Sequence, residues 1–165
     1  MSSKKYLFGM LCTVGFASLA SAQVIVDSTG ATPGSVTTIN AALATQPAEI
    51  VVKNTGVYEE ALLITFDTIL RGEDPNNPPI IAMKGNSSQP AAGTGDGIYL
   101  GGDGLSGGDM NFTLKNFILI PHTDGSLTDD AISICPKSGF MLNVTLDNLL
   151  IAPNNGSNAP LATNV

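Results

Sequence analysis

The sequence has few of the side chains that most binding and catalytic functions require. It contains no tryptophan, one histidine, one arginine and two cysteines among 165 residues. Acidic residues outnumber basic ones by fourteen to seven, for a formal net charge of −7, and this balance excludes the basic surface typical of nucleic-acid binding. With no tryptophan and three tyrosines, a broad aromatic platform for sugar rings is also excluded.

Residues 1–22 have the pattern of a secretory signal peptide. Lys4 and Lys5 precede an apolar run from Tyr6 to Ala20, and Ala20-Ser21-Ala22 matches a cleavage site. The run is short for a bilayer span, so an uncleaved membrane anchor is the poorer interpretation. Cleavage predicts a secreted chain with no membrane span, five basic and fourteen acidic residues, and a net charge of −9.

Cleavage would also leave Cys135 as the only cysteine, because Cys12 lies in the leader. No internal disulfide could then form, and stability must come from burial, for which the mature length suffices in one domain. Cys135 ends an apolar run and is interpreted as buried rather than reactive.

Short apolar runs between Glu49 and Gly85 indicate the fold. They are rich in Ile, Leu and Val, are separated by turn residues, and are too short for helices, so they predict strands. The runs are Ile50–Val52, Leu62–Ile64, Ile69–Leu70 and Ile80–Met83. Two longer segments with similar content follow at Asn111–Ile120 and Asn143–Ala152.

One pattern, Leu-x-[Gly/Asn], recurs within these segments. It occurs at Leu70-Arg71-Gly72, Leu114-Lys115-Asn116 and Leu146-Asp147-Asn148. Gly and Asn tolerate a left-handed backbone, so each copy predicts a sharp corner between two strands. Recurrence at intervals of 44 and 32 residues predicts stacked parallel coils rather than hairpins.

The expected organisation is a signal peptide followed by one solenoid. Residues 23–34 form a lead-in with a possible strand at Val24–Val26, and residues 35–152 form the solenoid. Its three coils are expected at Ile50–Met83, Ile98–Ile120 and Ile132–Ile151.

The two ends of this solenoid differ. Thr37 is expected to cap a helix over Thr38–Thr45, which ends before Pro47 and covers the first coil. Residues 153–165 are a polar tail without helical periodicity. The uncapped last coil predicts either a truncated solenoid or end-to-end self-association.

The stretch from Ser35 to Ala152 resembles right-handed parallel β-helices of the pectin lyase-like superfamily. The resemblance rests on a G-x-Y-x-E element at Gly56–Glu60, an L-R-G-E corner at Leu70–Glu73, and asparagines stacked at that corner. It implies an all-β, right-handed parallel β-helix and an extracellular protein active on pectin or a related polyuronate. Because the matching residues are architectural, the resemblance assigns no particular activity.

An acidic segment lies directly before the strand at Ile132. Asp129-Asp130-Ala131-Ile132 is similar to a paired-aspartate motif of polygalacturonases, but the Gly-His-Gly and Arg-x-Lys motifs of those enzymes are missing. Neighbouring residues of an extended segment point to opposite faces, so Asp129 and Asp130 alone cannot form the facing pair that inverting hydrolysis needs. The candidate catalytic residues are Asp124, Asp129 and Asp130, and His122 is a candidate binding residue. Solvated loop residues are the alternative.

A calcium site is the second candidate. Asp96, Asp103 and Asp109 lie among glycines, and Ca²⁺ takes several oxygen ligands in a flexible geometry. Their spacing matches neither the EF-hand loop nor the nonapeptide repeat. No cofactor is firmly implied, and Ca²⁺ stays open. Arg71 lies in the tight corner and is a poor candidate for the base of a pectate lyase.

The outer side of the first strand of each coil is the third place where a site is expected. Val51, Tyr99 and Ser133 should form that outward row, which has no carboxylate and no base. Tyr99 is the candidate residue for stacking on a sugar.

Three functional hypotheses therefore stay open. The chain is part of a secreted polysaccharide-active protein without a complete catalytic site here, a non-catalytic surface solenoid for adhesion or scaffolding, or a small glycan-binding module.

Overall fold

The computed structural model describes residues 23–83, 97–101, 109–121, 131–135 and 139–152. The elements in chain order are β1 (Val24–Val26), α1 (Ile39–Leu43), β2 (Glu49–Val52), β3 (Val57–Glu60), β4 (Leu62–Ile64), β5 (Thr68–Gly72), β6 (Ile80–Met83), β7 (Ile98–Gly101), β8 (Met110–Ile120), β9 (Ile132–Cys135) and β10 (Leu142–Ile151). Across these described ranges, no helix has the length and apolar character needed to cross a bilayer.

The strands form two parallel sheets, which curl into a half-barrel. The larger sheet has the order β1-β2-β5-β8-β6-β3, with β10 also beside β8, and the smaller has the order β4-β7-β9. Strands β5, β6 and β7 lie beside β2, β3 and β4, in that order. The chain therefore returns repeatedly to the same positions, and the all-β prediction is confirmed.

The predicted coil boundaries were wrong. We expected Ile50–Met83 to form one coil, but Ile69 on β5 is the register partner of Glu49 on β2. Only residues 65–67 connect β4 to β5, so the chain returns to the larger sheet through a short turn. The expected first coil thus contains one full repeat and the beginning of the next.

The three predicted corner residues do occupy one register column. Leu70, Leu114 and Leu146 are register neighbours, which places Gly72, Asn116 and Asn148 together. Asn116 and Asn148 have left-handed φ values of 61° and 48°. Gly72 does not, and that part of the prediction was wrong. A Cβ at Gly72 would collide with the Asn116 carbonyl oxygen and with Pro79, so glycine is required there by close packing.

Aliphatic side chains stack along the inside of the sheets. Ile50, Leu70 and Leu114 are register neighbours and fully buried, and Leu62 and Ile98 repeat the arrangement in the smaller sheet. Burying one such side chain stabilises a fold by about 1.5–3 kcal/mol. This stacked core therefore provides the burial that the sequence analysis required in place of a disulfide.

Helix α1 lies against the first strands of both sheets, and its buried residues belong to the main core. The predicted inward residues, Ile39, Ala42 and Leu43, are buried as expected. The N-cap is Thr38 rather than Thr37, because the Thr38 hydroxyl accepts the Ala41 N–H at 3.1 Å. The helix also ends earlier than predicted, at Leu43.

The G-x-Y-x-E element has an architectural role at this helix. The two carboxylate oxygens of Glu60 accept the Ile39 and Asn40 N–H groups, each at 2.8 Å. These N–H groups would otherwise have no partner in the first helical turn. Tyr58 is buried, and its hydroxyl donates to the Lys53 carbonyl at 2.8 Å. The element thus fastens the helix and a turn to the first strands.

The lead-in segment is part of the larger sheet, since β1 pairs with β2 over all three of its residues. The loop after β1 is organised by Asp27, whose side chain is 2% exposed. Its Oδ1 accepts the N–H and hydroxyl of Thr29 at 3.0 and 2.6 Å, and its Oδ2 accepts those of Thr32 at 3.0 and 2.7 Å. These bonds, led by the Thr29 and Thr32 hydroxyls, hold the pKa of Asp27 well below its usual range.

The opposite end of the core is less covered. In the part of the chain that the structure describes, β10 pairs with β8 alone. Leu146 and Ile151 of β10 are 48% and 53% exposed, although their register partners in β8, Leu114 and Leu119, are fully buried.

Candidate functional site

The outer face of strands β5, β8 and β10 carries a groove of about 440 Å³. We call it the ladder groove, and its lining residues are Ala48, Asp67, Thr68, Ile69, Asn111, Phe112, Thr113, Asn143 and Thr145. Side chains alternate between the two faces of a strand. Every second residue of a strand therefore points outward, and the outward residues of neighbouring strands line up in columns across this face.

The first column is a hydrogen-bonded ladder. Asp67 Oδ1 accepts the Asn111 N–H at 2.8 Å, and Asp67 Oδ2 lies 3.5 Å from Asn111 Nδ2. One strand further on, Asn143 Nδ2 donates to Asn111 Oδ1 at 3.1 Å. The side chains are thereby fixed in position before any ligand arrives.

The second column contains Ile69, Thr113 and Thr145, which are register neighbours on β5, β8 and β10. Ile69 is 39% exposed, so it presents apolar surface beside the hydroxyls. Among the described residues, the hydroxyls of Thr113 and Thr145 have no hydrogen-bond partner. The groove therefore combines apolar surface with hydrogen-bond donors and acceptors that are open to a ligand.

A third outward column lies beyond the groove and is charged. It contains Arg71, Lys115 and Asp147 in register. Arg71 Nε lies 2.6 Å from Glu49 Oε1. This bond, supported by one from Gln23, holds the pKa of Glu49 below its usual value. Arg71 is thus committed to an ion pair with Glu49.

The row expected to carry Val51, Tyr99 and Ser133 is not a single row. Tyr99 is the register partner of Leu63 and Ser133 in the smaller sheet, whereas Val51 pairs with Arg71 in the larger one. The error follows from the coil boundaries, since β2 and β7 are not equivalent strands. The Tyr99 side chain is 4% exposed, so its ring is covered rather than presented to a sugar.

Of the other predicted site residues, Asp109 alone lies within the described part. Its Oδ1 accepts the Met141 N–H at 2.8 Å, which ties the start of β10 to the residue before β8. The described residues contain no group of three or more His, Cys, Asp or Glu side chains placed to hold a metal ion. Outside the described residues lie the candidate catalytic residues Asp124, Asp129 and Asp130, the candidate binding residue His122, and the candidate calcium ligands Asp96 and Asp103.

The ladder groove was not predicted from the sequence, although a signal for it is present. Asp67, Asn111 and Asn143 each lie five residues before a corner residue, Gly72, Asn116 or Asn148. The segments Asn111–Asn116 (NFTLKN) and Asn143–Asn148 (NVTLDN) also share the pattern N-x-T-L-x-N. We used only the second half of that pattern to locate the corner.

Comparison of the chain with protein-family models, curated proteins and solved structures found no match.

Proposed function

We propose that this chain is a secreted, right-handed parallel β-helix protein, similar to the pectin lyase-like superfamily, that binds a polysaccharide without cleaving it. The observation that carries the proposal is the ladder groove. Its Thr113 and Thr145 hydroxyls are open, its Asn side chains are held in place, and Ile69 offers apolar surface to the face of a sugar ring. Sites for small molecules combine apolar lining with a few placed polar groups in this way.

The repeating strands support an extended ligand. Neighbouring strands lie about 4.8 Å apart, so equivalent groups recur at that interval along the groove. A chain of sugars offers hydroxyl groups repeatedly, and several weak contacts made together give useful affinity. The leader sequence supports export, and the absence of polygalacturonase motifs supports binding without catalysis.

The described carboxylates support the same interpretation, because several are already committed within the fold. Glu60 binds the start of α1, Glu49 pairs with Arg71, and Asp109 accepts a backbone N–H. A general acid and base must instead be free to reach the substrate.

The test is binding of immobilised polysaccharides by the mature chain, compared with the variant Thr113→Val/Thr145→Val. Valine keeps the shape and the strand propensity of threonine and removes the hydroxyl. We expect at least a several-fold loss of affinity. Thr37→Val, at an exposed threonine far along the chain from the groove, is the matched control. Equal binding by the groove variant and the control would contradict the proposal.

A scaffold that assembles end to end is the second candidate function. The specific observation in its favour is the exposed apolar surface of β10, with Leu146 and Ile151 about half exposed. Exposed strand edges of this kind pair readily with another chain.

A further inference from the structure

We infer that the ladder groove selects uncharged sugar chains over uronates, with Asp67 as the residue that determines the selection. The inference rests on the proposed polysaccharide-binding function and adds the substrate class to it. It differs from the acidic ligand that the resemblance to pectin-active proteins implies.

The charge of the groove lining favours neutral ligands. Asp67 is the one charged side chain among the described lining residues, and it is exposed. Its Oδ1 is held by the Asn111 N–H, but its Oδ2 has only a long 3.5 Å contact to Asn111 Nδ2. That oxygen has capacity to accept a hydrogen bond from a sugar hydroxyl. It would repel the carboxylate of a uronate placed in the same position.

The cations near the groove do not offset this repulsion. Arg71 is paired with Glu49, and Lys115 lies in register with Asp147. Neither Arg71 nor Lys115 is among the residues that line the groove. A uronate in the groove would therefore meet the Asp67 carboxylate and no cation in the described lining. The remaining lining groups are amides, hydroxyls and apolar side chains, which suit neutral sugars.

The experiment uses matched pairs of ligands that differ in charge. The pairs are a glucan and the same glucan oxidised to the uronate at C6, a polygalacturonate and its methyl ester, and mannan with polymannuronate. We expect the neutral member of a pair to bind about fivefold more tightly, the effect of one like charge at about 4 Å in water. Added salt should reduce the difference, since salt screens repulsion between exposed charges.

The decisive variant is Asp67→Asn, which keeps an oxygen for the Asn111 N–H and removes the charge. It should bring the affinities of the neutral and acidic members close together. Asp74→Asn removes the same charge from an exposed turn outside the groove and should leave their ratio unchanged. Thermal unfolding of both variants establishes that each is folded.

The outcomes separate the two claims. Tighter binding of the uronate member, or a ratio unchanged by Asp67→Asn, would overturn the inference and leave polysaccharide binding intact. Failure of every ligand in the panel to bind would overturn both.

Discussion

Asn148 donates its side-chain amide to Oδ1 of Asn116 at 3.0 Å, and both residues have a left-handed backbone. Asn116 in turn places its own amide 3.4 Å from the Gly72 carbonyl. Asparagine serves two purposes at this corner, because it tolerates the backbone conformation and it links consecutive strands along the stack.

The first prediction separates those two purposes. Asn148→Leu should lower the free energy of unfolding by about 1–3 kcal/mol, since it removes a hydrogen bond and places a bulky side chain in the left-handed region. Asn148→Gly should cost less, because glycine loses the bond but adopts the backbone without strain. Urea unfolding monitored by circular dichroism measures both. A glycine variant as unstable as the leucine variant would show that the backbone conformation contributes little.

The second prediction concerns acid stability and Asp27. Its pKa is depressed in the folded chain, so its contribution to stability is present above the ordinary aspartate pKa of about 3.9 and is lost as pH falls toward the folded pKa. Asp27→Asn should therefore be less stable than the parent at neutral pH, with a smaller loss of stability between about pH 5 and pH 2. Urea unfolding at a series of pH values gives the comparison.

Glu49→Gln is the control for that series. The Glu49 pKa is also depressed, with the Arg71 hydrogen bond as its largest cause. This variant should therefore also lose less stability than the parent as pH falls through the same acidic range, because it removes a different carboxylate. Parallel pH profiles for Asp27→Asn and the parent would contradict the role given to the Asp27 loop.

The third prediction is self-association through β10. The exposed Leu146 and the neighbouring strand edge should make the mature chain, residues 23–165, associate as its concentration rises. Leu146→Lys should weaken this association, because a charged side chain opposes strand pairing and apolar contact. Leu63→Lys is the matched control, since Leu63 is similarly exposed but lies on the other sheet. A strictly monomeric parent in sedimentation velocity at high concentration would contradict the prediction.

The fourth prediction is that the mature chain has no lyase, esterase or hydrolase activity on pectic polysaccharides. The reasons are the missing polygalacturonase motifs and the structural roles of Glu49, Glu60 and Asp109. Release of reducing ends, unsaturated products and methanol can be assayed directly. Activity that disappeared in Asp130→Asn would contradict the prediction and favour the acidic segment before Ile132 as a catalytic site.

Much of the fold could be predicted because local patterns and burial agree. Leu-x-[Gly/Asn] located the corner, and the inward faces of α1 and of the strands followed from their apolar residues. The assignment of strands to coils could not be predicted, because it depends on loop lengths that leave no periodic pattern. Because only three residues separate β4 from Thr68, β5 begins the second coil, whereas we expected it in the first.

The groove escaped prediction for a related reason. Asp67, Asn111 and Asn143 are ordinary polar residues when considered singly, and only the register of β8 with β5 and β10 brings them together. We expected a site in dense acidic segments instead, where the residues are close together in the chain. Binding surfaces on stacked strands are built from residues that are far apart in the chain.

The two hydrogen-bonded columns are always the same number of residues apart in the chain, and this limits where residues can be inserted. Asp67 and Gly72, Asn111 and Asn116, and Asn143 and Asn148 are all five residues apart, whereas successive repeats are separated by 44 and then 32 residues. An insertion between the columns would put at least one of them out of register, whereas an insertion in a loop between strands would leave both in place. Added residues are thus best accommodated in the connections, where a longer loop leaves the geometry of the two columns unchanged.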